Sequence, residues 1–166
     1  LIVNKRMLVT DTEGAGTYSG APSCLVEYEI TADSMNIYYS SDGVSNPPRG
    51  ANNEYSGAGV DQWIVDDDGN KTRLPSIGEL TVERGHRIIC QTSAGGGYGS
   101  PLNRDPCGVA YDVEEGYLSQ CKARDVYGVV CSANGDLDIK STTILRKQLA
   151  CKNCFYFRWK SNGNRV

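Results

Sequence analysis

The sequence predicts an α+β fold, with an antiparallel β-rich part over about residues 1–92, a glycine- and proline-rich loop over 93–106, and two or three short helices over 107–150. Three observations carry this. Apolar residues in the first part recur with the period of two that marks half-buried strands. After the loop they recur at helical spacing. Between the two parts stand three consecutive glycines, Gly95, Gly96 and Gly97, then Tyr98, Gly99, Ser100 and Pro101, then Arg104, Asp105 and Pro106. Glycine at this density marks a sharp turn or a close backbone approach. At 166 residues the chain fits a single domain with a real core.

Residues 1–10 read as a strand, followed by a structured turn that carries Gly14, Gly16, Tyr18 and Gly20. Cys24, Val26, Tyr28 and Ile30 share one face of the next strand, with Leu25, Glu27 and Glu29 on the other. Met35, Ile37 and Tyr39 repeat the pattern after the turn at Ala32 to Ser34, which predicts an antiparallel pair. Residues 40–59 form a loop rich in Ser, Asn, Pro and Gly, of the length that tends to contact partners or ligands. Hairpins are expected at Asp68-Gly69, between Trp63 to Val65 and Lys71 to Leu74, and at Arg84-Gly85, between Leu80 to Val82 and Arg87 to Gln91.

After the loop, Val109, Ala110 and Val113 predict a helix closed by Gly116. Ser119 caps a second helix to about Tyr127. Asn134-Gly135 turns the chain, and Asp138 caps a third helix with Ile139, Thr143, Leu145 and Leu149 facing inward. Residues 151–166 read as a basic aromatic tail, frayed from Asn162.

Charge and motifs exclude several functions. With 17 basic and 20 acidic residues the formal charge is −3, which gives no general affinity for nucleic acid or anionic membrane. No apolar run approaches the roughly 20 residues of a membrane span, and Leu1 to Val3 is too short for a signal peptide, so the expected location is the cytoplasm. Seven cysteines, an odd set without regular spacing, point to reduced thiols rather than a disulfide framework. The glycine loop lacks the Lys-Ser/Thr of a phosphate-binding P-loop, so a tight turn or packing against a neighbouring chain accounts for it better. Cys151 and Cys154 form one CxxC pair with no second pair at zinc spacing; two thiols in a tail are the simpler account, and zinc the weaker one. His86, the sole histidine, has no assignable nucleophile, and Asp66 to Asp68 lack the spacing of a calcium loop. Phe155, Tyr156, Phe157 and Trp159, interleaved with Arg158 and Lys160, suit a partner contact better than single-stranded nucleic acid.

The order and spacing of several motifs closely resemble the C-terminal end of the hydantoinase B/oxoprolinase family. They are the run from Gly95 to Pro106, Ala110 to Ser119, Ala123 to Val130, the Gly14, Gly16, Tyr18 and Gly20 turn, Pro47 to Gly50, and Leu74 to Ser76. Together they cover roughly residues 7–149. Ser100 departs from the family pattern, which has Asp there, and the tail lies beyond the match.

The resemblance implies a division of labour. In relatives of this kind, including acetone and acetophenone carboxylases, an A-type chain uses ATP to activate the substrate. The B-type chain carries a divalent metal on His and Asp residues of its N-terminal body, which has no counterpart here. The chain is therefore expected to be a small, non-catalytic subunit that completes a B-type chain in a heteromeric ATP-dependent ketone carboxylase. A hydantoinase- or oxoprolinase-type amidohydrolase is the alternative, and an independent β-rich binding module a second. No catalytic, cofactor-binding or metal residue is expected in this chain; ATP and the metal would sit on larger A-like and B-like partners.

Overall fold

The computed structural model describes residues 1–51 and 55–162, with residues 152–162 as backbone. The chain divides into two compact units, one of residues 1–15 and 19–98, the other of residues 16–18 and 99 onward. The division falls inside the glycine loop.

The first unit is built from seven strands: β1 (Ile2–Leu8), β2 (Cys24–Glu29), β3 (Ser34–Ser40), β4 (Asp61–Val65), β5 (Lys71–Arg73), β6 (Ile77–Glu83) and β7 (Arg87–Gln91). Five make an antiparallel sheet in the order β1-β2-β7-β4-β5, and β3 pairs with β6 in a second sheet. Alternation sets the inner faces. Ile88 and Cys90 of β7 and Ile64 of β4 meet Met35 and Ile37 of β3 and Leu80 and Val82 of β6, around a centre of Ile30 and Val82 that is fully buried. The two-stranded layer is shaped to fit: Gly78 stands opposite Tyr39, where a Cβ would lie 2.5 Å from the Tyr39 hydroxyl.

The hairpin at Asp68-Gly69 forms as expected between β4 and β5, with Gly69 at φ +84°. The other two expected pairings do not form. β2 does not pair with β3, and β6 does not pair with β7; in both cases the chain turns a corner and changes sheet. The corners run side by side. Ile30 N–H donates to the His86 carbonyl (3.1 Å), Gly85 N–H to the Ile30 carbonyl (2.9 Å) and Arg84 N–H to the Asp33 carbonyl (3.0 Å). A turn signal is the same whether its flanking strands pair with each other or separate into two layers.

Within residues 40–59, a 3-10 turn spans Asp42–Val44, so this loop has structure of its own.

The second unit contains α1 (Pro106–Glu114), α2 (Gln120–Asp125) and α3 (Ile139–Asn162). Each has the start its sequence dictates. Asp105 accepts from Cys107 N–H with Pro106 at the first helical position, Ser119 accepts from Lys122 N–H (3.1 Å), and Asp138 accepts from Ser141 N–H (3.0 Å). Gly116 takes φ +76° after α1 and Gly135 takes φ +78° in the turn before α3.

Helix α3 departs from expectation in its first turn and in its length. Ile139 is 68% exposed and Thr143 is also exposed, whereas Thr142 is buried, its hydroxyl accepting from Val130 N–H (3.0 Å). Leu145 and Leu149, three and seven residues on, stay half-buried on the Thr142 side as expected, and the hydrogen bond from the part-buried Val130 amide sets the rotation of the first turn. The helix runs through Cys151 to Asn162, so the segment expected as an irregular tail is helical in backbone.

Candidate functional site

The glycine loop is a crossing point of backbones. A Cβ on Gly97 would lie 1.8 Å from the Ala15 carbonyl oxygen, one on Gly20 2.0 Å from that of Gly95, and one on Gly14 2.3 Å from that of Tyr55. Gly96 and Gly57 are as constrained, each with a carbonyl oxygen 2.4 Å from the added atom, of Arg49 and of Gly95 respectively. Every one of these distances is below what any side chain tolerates. Only glycine lets five segments, near residues 14, 20, 49, 55–57 and 95–97, pass at this separation.

Hydrogen bonds close the crossing. Gly14 N–H donates to the Gly95 carbonyl (2.8 Å), Gly95 N–H to Ala21 (2.8 Å), Gly97 N–H to Tyr55 (3.0 Å), Ala94 N–H to Ala58 (2.9 Å), and Ala58 N–H to Thr12 (2.8 Å). A phosphate cradle needs N–H groups aimed at the anion. Those of Gly95 and Gly97 are spent on carbonyls, so the loop acts as a structural clasp. Glu13, which carries no motif in the sequence, is buried beside it.

From Gly99 onward the signature belongs to the helical unit. Gly99 takes φ +75°, and Thr17 binds this segment twice, its N–H to the Gly99 carbonyl (3.2 Å) and its hydroxyl to the Ser100 carbonyl (2.8 Å). At position 100 this bond is accepted by the Ser100 main-chain carbonyl. Pro101 is buried at the head of a 3-10 turn, and Tyr98 is exposed.

Arg104 is the centre of the helical unit. Its Nη2 pairs with the Asp112 carboxylate at 2.5 Å, its guanidinium lies 5.5 Å from the ring centre of the fully buried Tyr127, and its carbonyl accepts from Arg146 Nη2 (2.7 Å). Arg146 Nε also donates to the Tyr127 carbonyl (3.1 Å). Two arginines thus tie α1, the loop before it, the end of α2 and α3 together. Burial holds the Asp112 carboxyl above the ordinary carboxylate range, with Arg104 opposing, and burial pulls Arg146 down. In the sequence Arg104, Asp112 and Tyr127 are legible only as positions within motifs, and Arg146, whose partners Arg104 and Tyr127 are 42 and 19 residues away, carries no signal there.

Two concavities complete the unit. One of about 360 Å³ is lined by Pro106, Cys107, Leu137, Thr142, Arg146 and Lys147 among others. The second, of about 220 Å³, contains Gln120, Cys121, Arg124 and Cys131. Burial raises the Cys131 thiol, which makes it a poor nucleophile.

Cys24, Cys90, Cys107, Cys121, Cys131 and Cys151 are free thiols. Cys151 is exposed on α3; the side chains of Cys154, Phe155, Tyr156, Phe157 and Trp159 lie outside the described residues. Among the described residues no group of three or more His, Cys, Asp or Glu side chains is close enough to hold a metal ion, and no helix is long and apolar enough to cross a membrane. Asp66 serves its own hairpin, accepting from Asn70 N–H (2.8 Å) and Nδ2 (2.9 Å).

Two substitution experiments test these assignments. Gly97→Ala should cost about 3 kcal/mol or more in denaturant unfolding, or prevent folding, because the added atom meets backbone. Gly108→Ala, in the interior of α1 with nothing within 4 Å of the added atom, should instead stabilise by about 0.5–1 kcal/mol. Equal effects would contradict the clasp.

Arg104→Met should destabilise by about 3 kcal/mol at neutral pH, by leaving Asp112 charged and without its cation. The sign with pH follows from the raised Asp112 value: its contribution to stability is complete below the ordinary carboxylate pKa of about 3.9 and is lost as pH rises through the folded-state value. Removing Arg104 raises that value further. The penalty measured by unfolding should therefore be small near pH 3–4 and grow toward neutrality; a penalty independent of pH would overturn the pairing.

Comparison with known proteins agrees with this anatomy. The hydantoinase B/oxoprolinase family model matches residues 1–101. The chain is 31% identical over 152 residues to the beta subunit of the caprolactamase of Pseudomonas jessenii, covering 86% of this chain and 25% of that one. It is 30% identical over 149 residues to the B-type chain of a putative D-/L-hydantoinase from a Pseudomonas species, covering 89% and 25%. Among solved structures it superposes on the ATP-dependent caprolactamase of Pseudomonas jessenii with a TM-score of 0.68 at 29% identity, covering 88% of this chain and 26% of that one. Acetone carboxylase in its nucleotide-free state gives the same TM-score, 0.68, at 20% identity, over 99% and 26%, and shares the fold. The chain spans about a quarter of the length of these relatives. Matched over residues 1–101 by the family model and over most of its length by relatives 30% and 31% identical, the chain belongs to the hydantoinase B/oxoprolinase family.

Proposed function

We propose that the chain is a non-catalytic component of an ATP-dependent complex of the hydantoinase type, where it completes a B-type body and supports its assembly. The observation that carries this reading is how the family signature is used. Gly95 and Gly97 amides, Asp105 and Arg104 are all engaged within the chain itself, and Arg146, outside the signature, donates to the Arg104 carbonyl. A signature spent on its own architecture supports a scaffold role. ATP and a divalent metal would then be handled by larger A-like and B-like partners, and the working location would be the cytoplasm.

Opening of a cyclic amide is the reaction class the comparisons favour. Identity is 31% and 30% to a caprolactamase chain and a putative hydantoinase chain, against 20% to acetone carboxylase. ATP-dependent carboxylation of a ketone such as acetone or acetophenone is the second reading, supported by coverage of nearly the whole chain in the carboxylase superposition. In ring opening, phosphorylation of the amide oxygen would make it leave as phosphate after water attacks the carbon. In carboxylation, the enol phosphate would release the enolate on P–O cleavage and carboxy-phosphate would lose phosphate as the C–C bond forms. In either chemistry this chain would hold the body that brings the reactants together.

Tagged chain recovered under native conditions from its source cells, with mass analysis of what accompanies it, tests the proposal. Two or more large chains of A and B type should be recovered, with ATP hydrolysis stimulated by caprolactam or hydantoin. Stimulation by ketone and bicarbonate instead would move the assignment to carboxylation. Recovery of a folded monomer alone would overturn the complex and leave a binding module.

A further inference from the structure

Resting on that reading, we propose that β1 receives an extended, acid-bearing strand from the polypeptide that supplies the rest of the hydantoinase B-type body. The surface is therefore a site of strand addition.

The two edges of the five-stranded sheet are built differently. β5 is three residues long, Lys71-Thr72-Arg73, with Lys71 Nζ over the Trp63 ring (3.8 Å) and Arg73 paired with Asp61 (2.6 Å). Short length and charge are how a free edge is protected. β1 is seven residues long and exposed at every position. Leu1, Ile2, Val3, Met7 and Leu8 are each between 42% and 57% exposed.

Register shows that both faces of β1 are apolar. Ile2, Lys5 and Met7 stand opposite Glu29, Glu27 and Leu25 on one face; Val3, Arg6 and Leu8 stand opposite Tyr28, Val26 and Cys24 on the other. A shift in register between Val3 and Lys5 at Asn4 sets this arrangement. The β3–β6 layer packs over Ile64, Ile88 and Cys90, and the core it forms includes no residue of β1. Apart from Asn4 at the shift, and Lys5 and Arg6, one on each face, β1 presents apolar side chains on both faces as a sheet interior does, yet it occupies an edge.

Charge selects the occupant. Lys5 and Arg6 make no ion pair among the described residues, and Glu27, opposite Lys5, is held by Arg87 at 2.8 Å. A second copy pairing antiparallel about the centre of β1 would set Lys5 against Lys5, and like charges directly opposite are destabilising. A strand with Asp or Glu opposite Lys5, and a second acid opposite Arg6 on the other face, meets both cations and covers both faces by extending the sheet. The relatives are about four times as long as this chain, so a body large enough to provide such a strand is part of the family's architecture.

Hydrogen exchange of the free chain and of the purified complex, with carbodiimide coupling of Lys5 to any adjacent carboxylate, tests the pairing. Amides of Ile2 to Leu8 should exchange at least about tenfold more slowly in the complex. Lys5 should couple to an Asp or Glu of the large B-like chain. Lys5→Glu with Arg6→Glu should lower complex recovery by about tenfold with the circular dichroism of the free chain unchanged. An intact complex with β1 exchanging as in the free chain would overturn strand addition alone and leave the proposed function standing. Coupling of Lys5 to another copy of this chain would overturn the occupant, and recovery of no B-like chain would overturn both proposals.

Discussion

Five backbone segments cross at the glycine clasp closer than any side chain would permit, and the β-rich unit depends on that approach. The 1.8 Å between the Ala15 oxygen and a notional Cβ on Gly97 leaves no room for relaxation by rotamer change, because both partners are main chain. The hydrogen bonds from Gly14, Gly95 and Gly97 then fix where the strands enter and leave the sheet. β2 begins three residues after Ala21, and β7 ends three residues before Ala94. Glycine loses more conformational freedom on folding than other residues, so a cluster this dense is retained only where close approach requires it.

The helical unit uses a different device for the same end. Its short helices α1 and α2 bury few side chains, and polar anchors supplement that small core. Arg104 reaches the Asp112 carboxylate and the Tyr127 ring, while Arg146 satisfies two backbone carbonyls. Planar guanidinium groups suit this work, since each offers several donors in fixed geometry. The Arg104, Asp105, Pro106 motif thereby has a complete physical meaning: a cation for the half-buried acid, a helix cap, and a first-turn residue that needs no donor.

Local signals in the sequence are legible and distant ones are not. Ser119 and Asp138 as caps, Gly116 and Gly135 as left-handed turns, and Asp68-Gly69 as a hairpin all follow from chemistry within a few residues. The pairing of β3 with β6 joins strands far apart in the chain, and nothing in Ala32 to Ser34 or Arg84-Gly85 distinguishes a hairpin from a corner. The rotation of α3 escapes for a related reason: Thr142 faces inward because Val130 N–H lies there, and that amide is invisible in a hydrophobic pattern. The glycine run is legible as close packing, but its partners at Ala15, Gly20, Arg49 and Tyr55 are set by the fold. Asp112 and Tyr127 are legible only as motif positions and Arg146 not at all, because their roles exist only once the helices pack.

The central claim is that the family's glycine signature holds backbone to backbone and does not bind the anions of an ATP-dependent reaction. Heteronuclear NMR of the Gly95 and Gly97 amides, followed while inorganic phosphate and then ATP are added to the folded chain, tests it most directly. Both amides should exchange slowly with solvent and keep their resonance positions throughout. Fast exchange, or a saturable shift of either amide on addition of phosphate or ATP, would contradict the account and make the loop an anion site.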